Sequence, residues 1–178
     1  TAVGYSSLTD NTTGAANVAY GSQSLFKNTT GSRNVAIGHQ SLYQNTEGSH
    51  NTALGYNSLT NTTGSSNTAL GNVALTENTS GSSNVAIGMA ALRNNTTANY
   101  NTAVGRLALE DANRTADGDG YNVGLGYNAG NTGTNDITTG TKNTLLGANT
   151  AASAAAGTNQ TVIGYGASGK GDNTVTIG

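Results

Sequence analysis

A short phrase closing on glycine returns along the whole chain, and its spacing limits the possible folds more than any other feature. It reads Asn17-Val18-Ala19-Tyr20-Gly21, then Asn34-Val35-Ala36-Ile37-Gly38, then Asn51-Thr52-Ala53-Leu54-Gly55. It continues from Asn67, Asn84, Asn101, Asn122 and Asn143, and a degenerate copy ends at Gly164. The closing glycines stand at 4, 21, 38, 55, 71, 88, 105, 126, 147, 164 and 178, so the steps are 17, 17, 17, 16, 17, 17, 21, 21, 17 and 14 residues. A fixed period of this length marks a solenoid, in which each repeat is one coil and neighbouring coils bury each other's faces. Residues 1–178 read as a single array, with regular coils over 1–105, longer coils with inserted loops over 106–147 and short terminal coils over 148–178. A chain that opens and closes inside its repeat reads as a piece of a longer array. Function in such a stack is expected on its sides and ends rather than in one pocket.

Residues 34–50, NVAIGHQSLYQNTEGSH, stand for one coil. Val35 and Ile37 point one way while Ala36 and Gly38 point the other, the period-two alternation of a strand. One face therefore carries branched aliphatics and the other only small groups. A second apolar anchor forms the column Leu8, Leu25, Leu42, Leu59, Leu75, Leu92 and Leu109. A polar turn follows at residues 45–48, with equivalents at 11–14, 28–31, 61–64 and 78–81, where Asn and Gly tolerate left-handed backbone angles. Each coil is thus expected to run strand, bend, strand, turn. A helical reading fails because glycine sits three or four residues from every aliphatic, at a cost of ~1 kcal/mol per mid-helix glycine. The 16-residue coil is expected to lose its residue between Leu59 and Asn61, and the 21-residue coils to carry extra residues after Leu109 and over 131–140, since loops absorb length changes.

The expected fold is all-β, a parallel β-roll or β-solenoid of about ten coils. One coil has too few aliphatic groups to offset its chain entropy alone, so stacking is obligatory. The Ala/Gly column (Ala36/Gly38, Ala53/Gly55, Ala69/Gly71, Ala86/Gly88) reads as a flat wall that another chain can approach closely. From that wall we expect a close-packed homo-oligomer, with three chains the preferred number, which the period alone does not give.

Composition narrows the function further. A net charge of −2 and only 9 % charged residues leave no basic stripe for nucleic acid. There is no cysteine, hence no disulfide framework. No apolar run approaches the ~20 residues of a membrane helix, so no membrane insertion is expected of this segment.

The phrases starting at Asn34 and Asn84, and the closing Asn173-Thr174-Val175-Thr176-Ile177-Gly178, resemble the head repeats of trimeric autotransporter adhesins. The final 14-residue step matches the usual length of that repeat. The longer coils, such as NTALGYNSLTNTTGSS over residues 51–66, are similar to repeats in bacteriophage tail fibres and related tail-fibre-domain proteins. The resemblance spans essentially the whole chain. It implies a trimeric left-handed parallel β-roll, an extracellular place on a virion tail fibre or a bacterial surface, and a cell-surface glycan or protein receptor. It also implies a structural, non-enzymatic role, with the phage-like tail fibre shaft preferred to the adhesin head. The 16–17- and 21-residue coils depart from the adhesin head, and no self-cleaving chaperone domain lies within these residues.

Candidate chemistry is sparse. His39 shares a column with Tyr5, Ser22, Tyr56, Asn72, Met89 and Arg106, and His50 with Arg33, Ser66, Ser83, Tyr100 and Tyr121. Positions that accept such variety read as exposed decoration. The carboxylates Asp10, Glu47, Glu77, Glu110, Asp111, Asp117, Asp119, Asp136 and Asp172 mostly stand alone, so paired acids for glycosidic cleavage by a capsule-degrading fibre are not favoured. Residues 111–120 loosely match an oxygen-ligand calcium loop but lack the acid at its twelfth place, where Asn122 stands. A solvated inserted loop is the preferred reading. No catalytic, cofactor-binding or metal-ligating residue is therefore assigned. Glycosylation sequons begin at Asn11, Asn28, Asn61, Asn78, Asn94, Asn95, Asn113 and Asn159, though turn chemistry already explains Asn followed by Thr. An ice-binding alternative rests on threonine ladders, which alternate irregularly with Val (Val18, Val35, Thr52, Thr68, Val85, Thr102) on the aliphatic face.

Overall fold

A computed structural model describes residues 1–113 and 118–178. Its regular elements are eleven short strands: β1 (Ala2–Val3), β2 (Val18–Tyr20), β3 (Val35–Ile37), β4 (Thr52–Leu54), β5 (Thr68–Leu70), β6 (Val85–Ile87), β7 (Thr102–Val104), β8 (Val123–Leu125), β9 (Thr144–Leu146), β10 (Thr161–Ile163) and β11 (Val175–Ile177). They form one parallel sheet in strict chain order, and each strand pairs with the next at the same place in the phrase, as in Val35↔Thr52, Ala36↔Ala53 and Ile37↔Leu54. Among the described residues there is no helix. The β-solenoid of about ten coils expected from the period is therefore present.

The interior differs from the expectation in an instructive way. The middle residue of each strand points inward: Ala19, Ala36, Ala53, Ala69, Ala86 and Ala103 are all buried. The branched residues on either side of it point out, so Leu54 is 47 % exposed beside an Ala53 at 0 %. The Ala/Gly wall is thus no approach surface. Its alanines are the inner lining of the coil, packed against Leu25, Leu42, Leu59, Leu75, Leu92 and Leu109, which are all fully buried, while Gly38, Gly55, Gly71 and Gly88 are half-buried. A coil of this length encloses room for one leucine facing one alanine, and a second large side chain per coil has no space inside.

The leucines do not sit on a second strand. After the phrase glycine the backbone alternates into the left-handed region, at Gln40 (φ 53) and Leu42 (φ 53), and again before the next phrase at His50 (φ 61). The same three places recur in neighbouring coils, for example Gln23, Leu25 and Arg33. Such angles are uncommon for non-glycine residues. They are held because the coil-to-coil ladder continues through them, with Leu25 N–H donating to Ser41 O at 3.0 Å and Gln40 N–H to Ser22 O at 3.0 Å. Sequence reading placed left-handed angles at the turn Asn and Gly instead. The phrase glycine Gly38 does need its freedom, since φ is 129° and a Cβ there would lie 2.5 Å from Gly55 O.

Two length changes resolve in three dimensions. Gln44 N–H donates to Thr60 O at 2.7 Å, which aligns Thr60 with Tyr43 and puts Thr62, not Asn61, in the buried place of Asn45. The 16-residue coil therefore loses its residue inside the turn, between Thr62 and Gly64, and not before it. In the coil from Asn122, Gly130 stands where other coils have leucine. Ile137, fully buried, swings in from the inserted residues, with its N–H bonded to Gly130 O at 2.9 Å. A Cβ on Gly130 would meet Leu109, Leu145 and Ile137 side chains, so the isoleucine refills the leucine place. In the next coil the sizes exchange, with Leu145 on the strand and Ala151 opposite, both buried.

Candidate functional site

With the alanines turned inward, the first and third residues of the three-residue strands face solvent, and Val3 of the two-residue β1 is in register with the third. The third residues make one unbroken column: Val3, Tyr20, Ile37, Leu54, Leu70, Ile87, Val104, Leu125, Leu146, Ile163 and Ile177. Most are at least partly exposed, from 37 % at Ile37 to 75 % at Ile177. The first residues run beside them as Val18, Val35, Thr52, Thr68, Val85, Thr102, Val123, Thr144, Thr161 and Val175. At ~4.8 Å per strand and ~3.3 Å per residue, this ribbon is ~48 Å long and ~7 Å wide. Contiguous apolar patches of this order on soluble chains are commonly interaction surfaces. Because Thr lies on this outward face, the aliphatic face that carries it is the solvent face of the coil.

What keeps the ribbon in register is a buried amide ladder. The phrase asparagines Asn17, Asn34, Asn51, Asn67, Asn84, Asn101, Asn122 and Asn143 are all buried. Each Oδ1 accepts from the backbone N–H of its successor, as Asn17 does from Asn34 at 2.9 Å and Asn34 from Asn51 at 2.9 Å. Except at Asn101, each Nδ2 reaches across its own coil to a turn carbonyl, as Asn34 to Gly48 O at 2.8 Å. A second ladder runs through the turns: Asn28 Nδ2 donates to Asn11 Oδ1 (2.7 Å), Asn45 to Asn28 (2.7 Å), Asn78 to Thr62 Oγ1 (3.0 Å) and Asn95 to Asn78 (2.8 Å). It stops at Ala112, and Asn95 Oδ1 is left buried without a partner. These amides satisfy polar backbone groups that the coil would otherwise bury unpaired, at ~1–3 kcal/mol each. The turn asparagines bond their own turn backbone, as Asn28 Nδ2 to Gly31 O at 2.9 Å, and in addition link coil to coil.

The sequence-derived candidates fall as follows. His39 and His50 are exposed, His39 tilted against Tyr56 with centroids 5.5 Å apart and His50 Nε2 3.1 Å from Arg33 Nη1. Glu110 pairs with Arg93 at 3.5 Å and accepts from Asn131 Nδ2 at 2.9 Å, while Asp111 accepts from Asn94 Nδ2 at 2.5 Å. Asp119 accepts from the Tyr121 hydroxyl at 2.9 Å. That bond, followed by desolvation and the nearby negative charge, raises the Tyr121 pKa above its ordinary 10.0. Tyr100 and Tyr121 stack at 5.1 Å on successive coils. Residues 114–117, which include Asp117 of the calcium-like stretch, lie outside the described residues. Among the described residues no three His, Cys, Asp or Glu side chains converge on a metal position. No helix among them is long and apolar enough to cross a membrane.

No protein-family model, curated protein sequence or solved structure matches the chain.

Proposed function

We propose that this chain is a structural fibre segment whose copies pack side by side through the outward ribbon of β1–β11, three around a common axis. The ribbon is the observation that carries the reading. Hydrophobic burial is roughly proportional to the apolar area removed from water, and here that area is presented as a straight, repeating column along the entire stack. A cyclic assembly around an axis parallel to the stack covers every rung equally and closes without leaving a sticky edge. The segment then works as a rod that spaces or presents an attachment tip toward a cell-surface glycan or protein. A phage-like tail fibre shaft is preferred, in line with the long NTALG-type coils; a bacterial adhesin head is the second reading of the same architecture. The role is non-enzymatic and uses no cofactor, and its place is extracellular.

Sedimentation equilibrium of the intact chain tests the assembly. Three times the 17.7 kDa chain mass is expected. A monomer at micromolar concentration refutes it. Thermal hysteresis without association would instead favour the ice-binding reading, which the solvent-facing Thr52, Thr68, Thr102, Thr144 and Thr161 keep in view. Against that reading, the adjoining column of Tyr20, Ile37 and Leu54 makes the face uneven.

A further inference from the structure

We propose that N-linked glycosylation and folding exclude one another in this chain, and that Asn28, Asn78 and Asn95 make them incompatible. Each opens an N-x-S/T acceptor signal, as Asn28-Thr29-Thr30, Asn78-Thr79-Ser80 and Asn95-Thr96-Thr97. Each is fully buried in the turn ladder. Each Nδ2 spends both of its N–H groups inside the stack. Asn28 donates to Asn11 Oδ1 at 2.7 Å and Gly31 O at 2.9 Å, Asn78 to Thr62 Oγ1 at 3.0 Å and Gly81 O at 2.8 Å, and Asn95 to Asn78 Oδ1 at 2.8 Å and Ala98 O at 3.1 Å.

Transfer from a polyprenyl-pyrophosphate sugar donor forms a bond between Nδ2 and sugar C1. The bond from C1 to the pyrophosphate breaks, the polyprenyl pyrophosphate leaves, and one Nδ2 proton is lost. The modified amide keeps a single N–H for two buried acceptors, and the sugar needs the volume that the adjacent coil fills. Such transferases act on the extended chain before it closes, so burial in the finished fold gives no protection. A chain modified at these positions cannot stack the coils on either side. Asn61 is different: it is half-buried, one place before the buried Thr62, and its amide belongs to neither ladder. The chain must therefore be made and folded where no such transferase reaches it. This inference rests on the coil geometry alone and is independent of the fibre reading.

The test compares the chain made in bacterial cytoplasm with the chain sent through a glycosylating eukaryotic secretory route. The cytoplasmic product is expected to be protease-resistant. The secreted product is expected to carry sugar at Asn28, Asn78 or Asn95 and to be protease-sensitive. The triple variant Thr30→Ala, Ser80→Ala, Thr97→Ala removes the three signals and leaves all three ladder amides in place. It is expected to recover the protease-resistant product from the secretory route, with sugar retained only at the remaining signals (Asn11, Asn61, Asn94, Asn113 and Asn159), none of which opens on a fully buried asparagine. Two results overturn the proposal. One is a glycopeptide bearing sugar at Asn28, Asn78 or Asn95 from the protease-resistant fraction. The other is a triple variant that folds from bacteria but regains no resistant product by secretion.

Discussion

Replacing Asn51 with alanine is expected to cost about twice as much stability as the same change at Asn34, although the two residues occupy the same place in adjacent coils. Asn34 Oδ1 accepts the Asn51 N–H at 2.9 Å, and Asn51 Oδ1 accepts the Asn67 N–H at 2.9 Å, so either change leaves one buried donor unpaired. The carbonyls differ. Gly48 O receives Asn34 Nδ2 at 2.8 Å and also Asn45 Nδ2 at 2.9 Å, so it stays bonded when Asn34 is truncated. Gly64 O receives Asn51 Nδ2 at 2.8 Å, and Thr62 stands where a second amide would be, so truncation at Asn51 strands it. At ~1–3 kcal/mol per buried unpaired group, Asn34→Ala costs ~1–3 kcal/mol and Asn51→Ala ~2–6 kcal/mol. That larger value is comparable with the whole stability of many domains, ~5–15 kcal/mol. Urea unfolding followed by β-sheet circular dichroism measures both. Repeat arrays can open locally, so hydrogen exchange at the Asn67 amide serves as the local readout. Equal losses for the two variants, or a greater loss at Asn34, would refute the assignment of the ladder as the source of coil cohesion.

Further predictions follow from the same geometry. Leu59→Ala and Ile137→Ala each empty a filled interior place and should cost ~2–5 kcal/mol by chemical denaturation, the isoleucine as much as the leucine despite its origin in an inserted loop. Ala112→Asn should raise the melting temperature through a gain of ~0.5–1.5 kcal/mol, because it offers Asn95 Oδ1 the donor it lacks; an unchanged or lower melting temperature contradicts this. Under the proposed trimer, Leu54→Asp combined with Ile87→Asp should give monomers in sedimentation while leaving the circular dichroism spectrum intact, since both side chains face solvent within one chain. In a spectrophotometric titration Tyr121 should ionise at higher pH than an ordinary tyrosine, and Asp119→Asn should move it back down, because the carboxylate that accepts its hydroxyl proton is the leading cause of the shift.

The period, the β class and the leucine column can all be read from residue order alone, because each depends on which residues recur at which interval. The recurring apolar anchor picks out Leu25, Leu42, Leu59, Leu75, Leu92 and Leu109, and they are buried. Alternation in Val35-Ala36-Ile37 likewise establishes that a strand has two unlike faces. It does not say which face is inside. That choice follows from the volume enclosed when the coil closes: leucine from the far wall takes the space, and only alanine fits opposite it. The consequence is that the branched ribbon, and not the small-residue wall, is the face turned to solvent. Three further details also belong to the closed coil. The left-handed angles at Leu42 and Gln40 are held by the neighbouring coil's carbonyls, the place of Asn45 passes to Thr62 in the shortened turn, and Ile137 is drawn into the gap above Gly130. Each is decided by contacts between residues in different coils or distant in one coil, and a pattern read along the chain contains no information about what lies above, below or across.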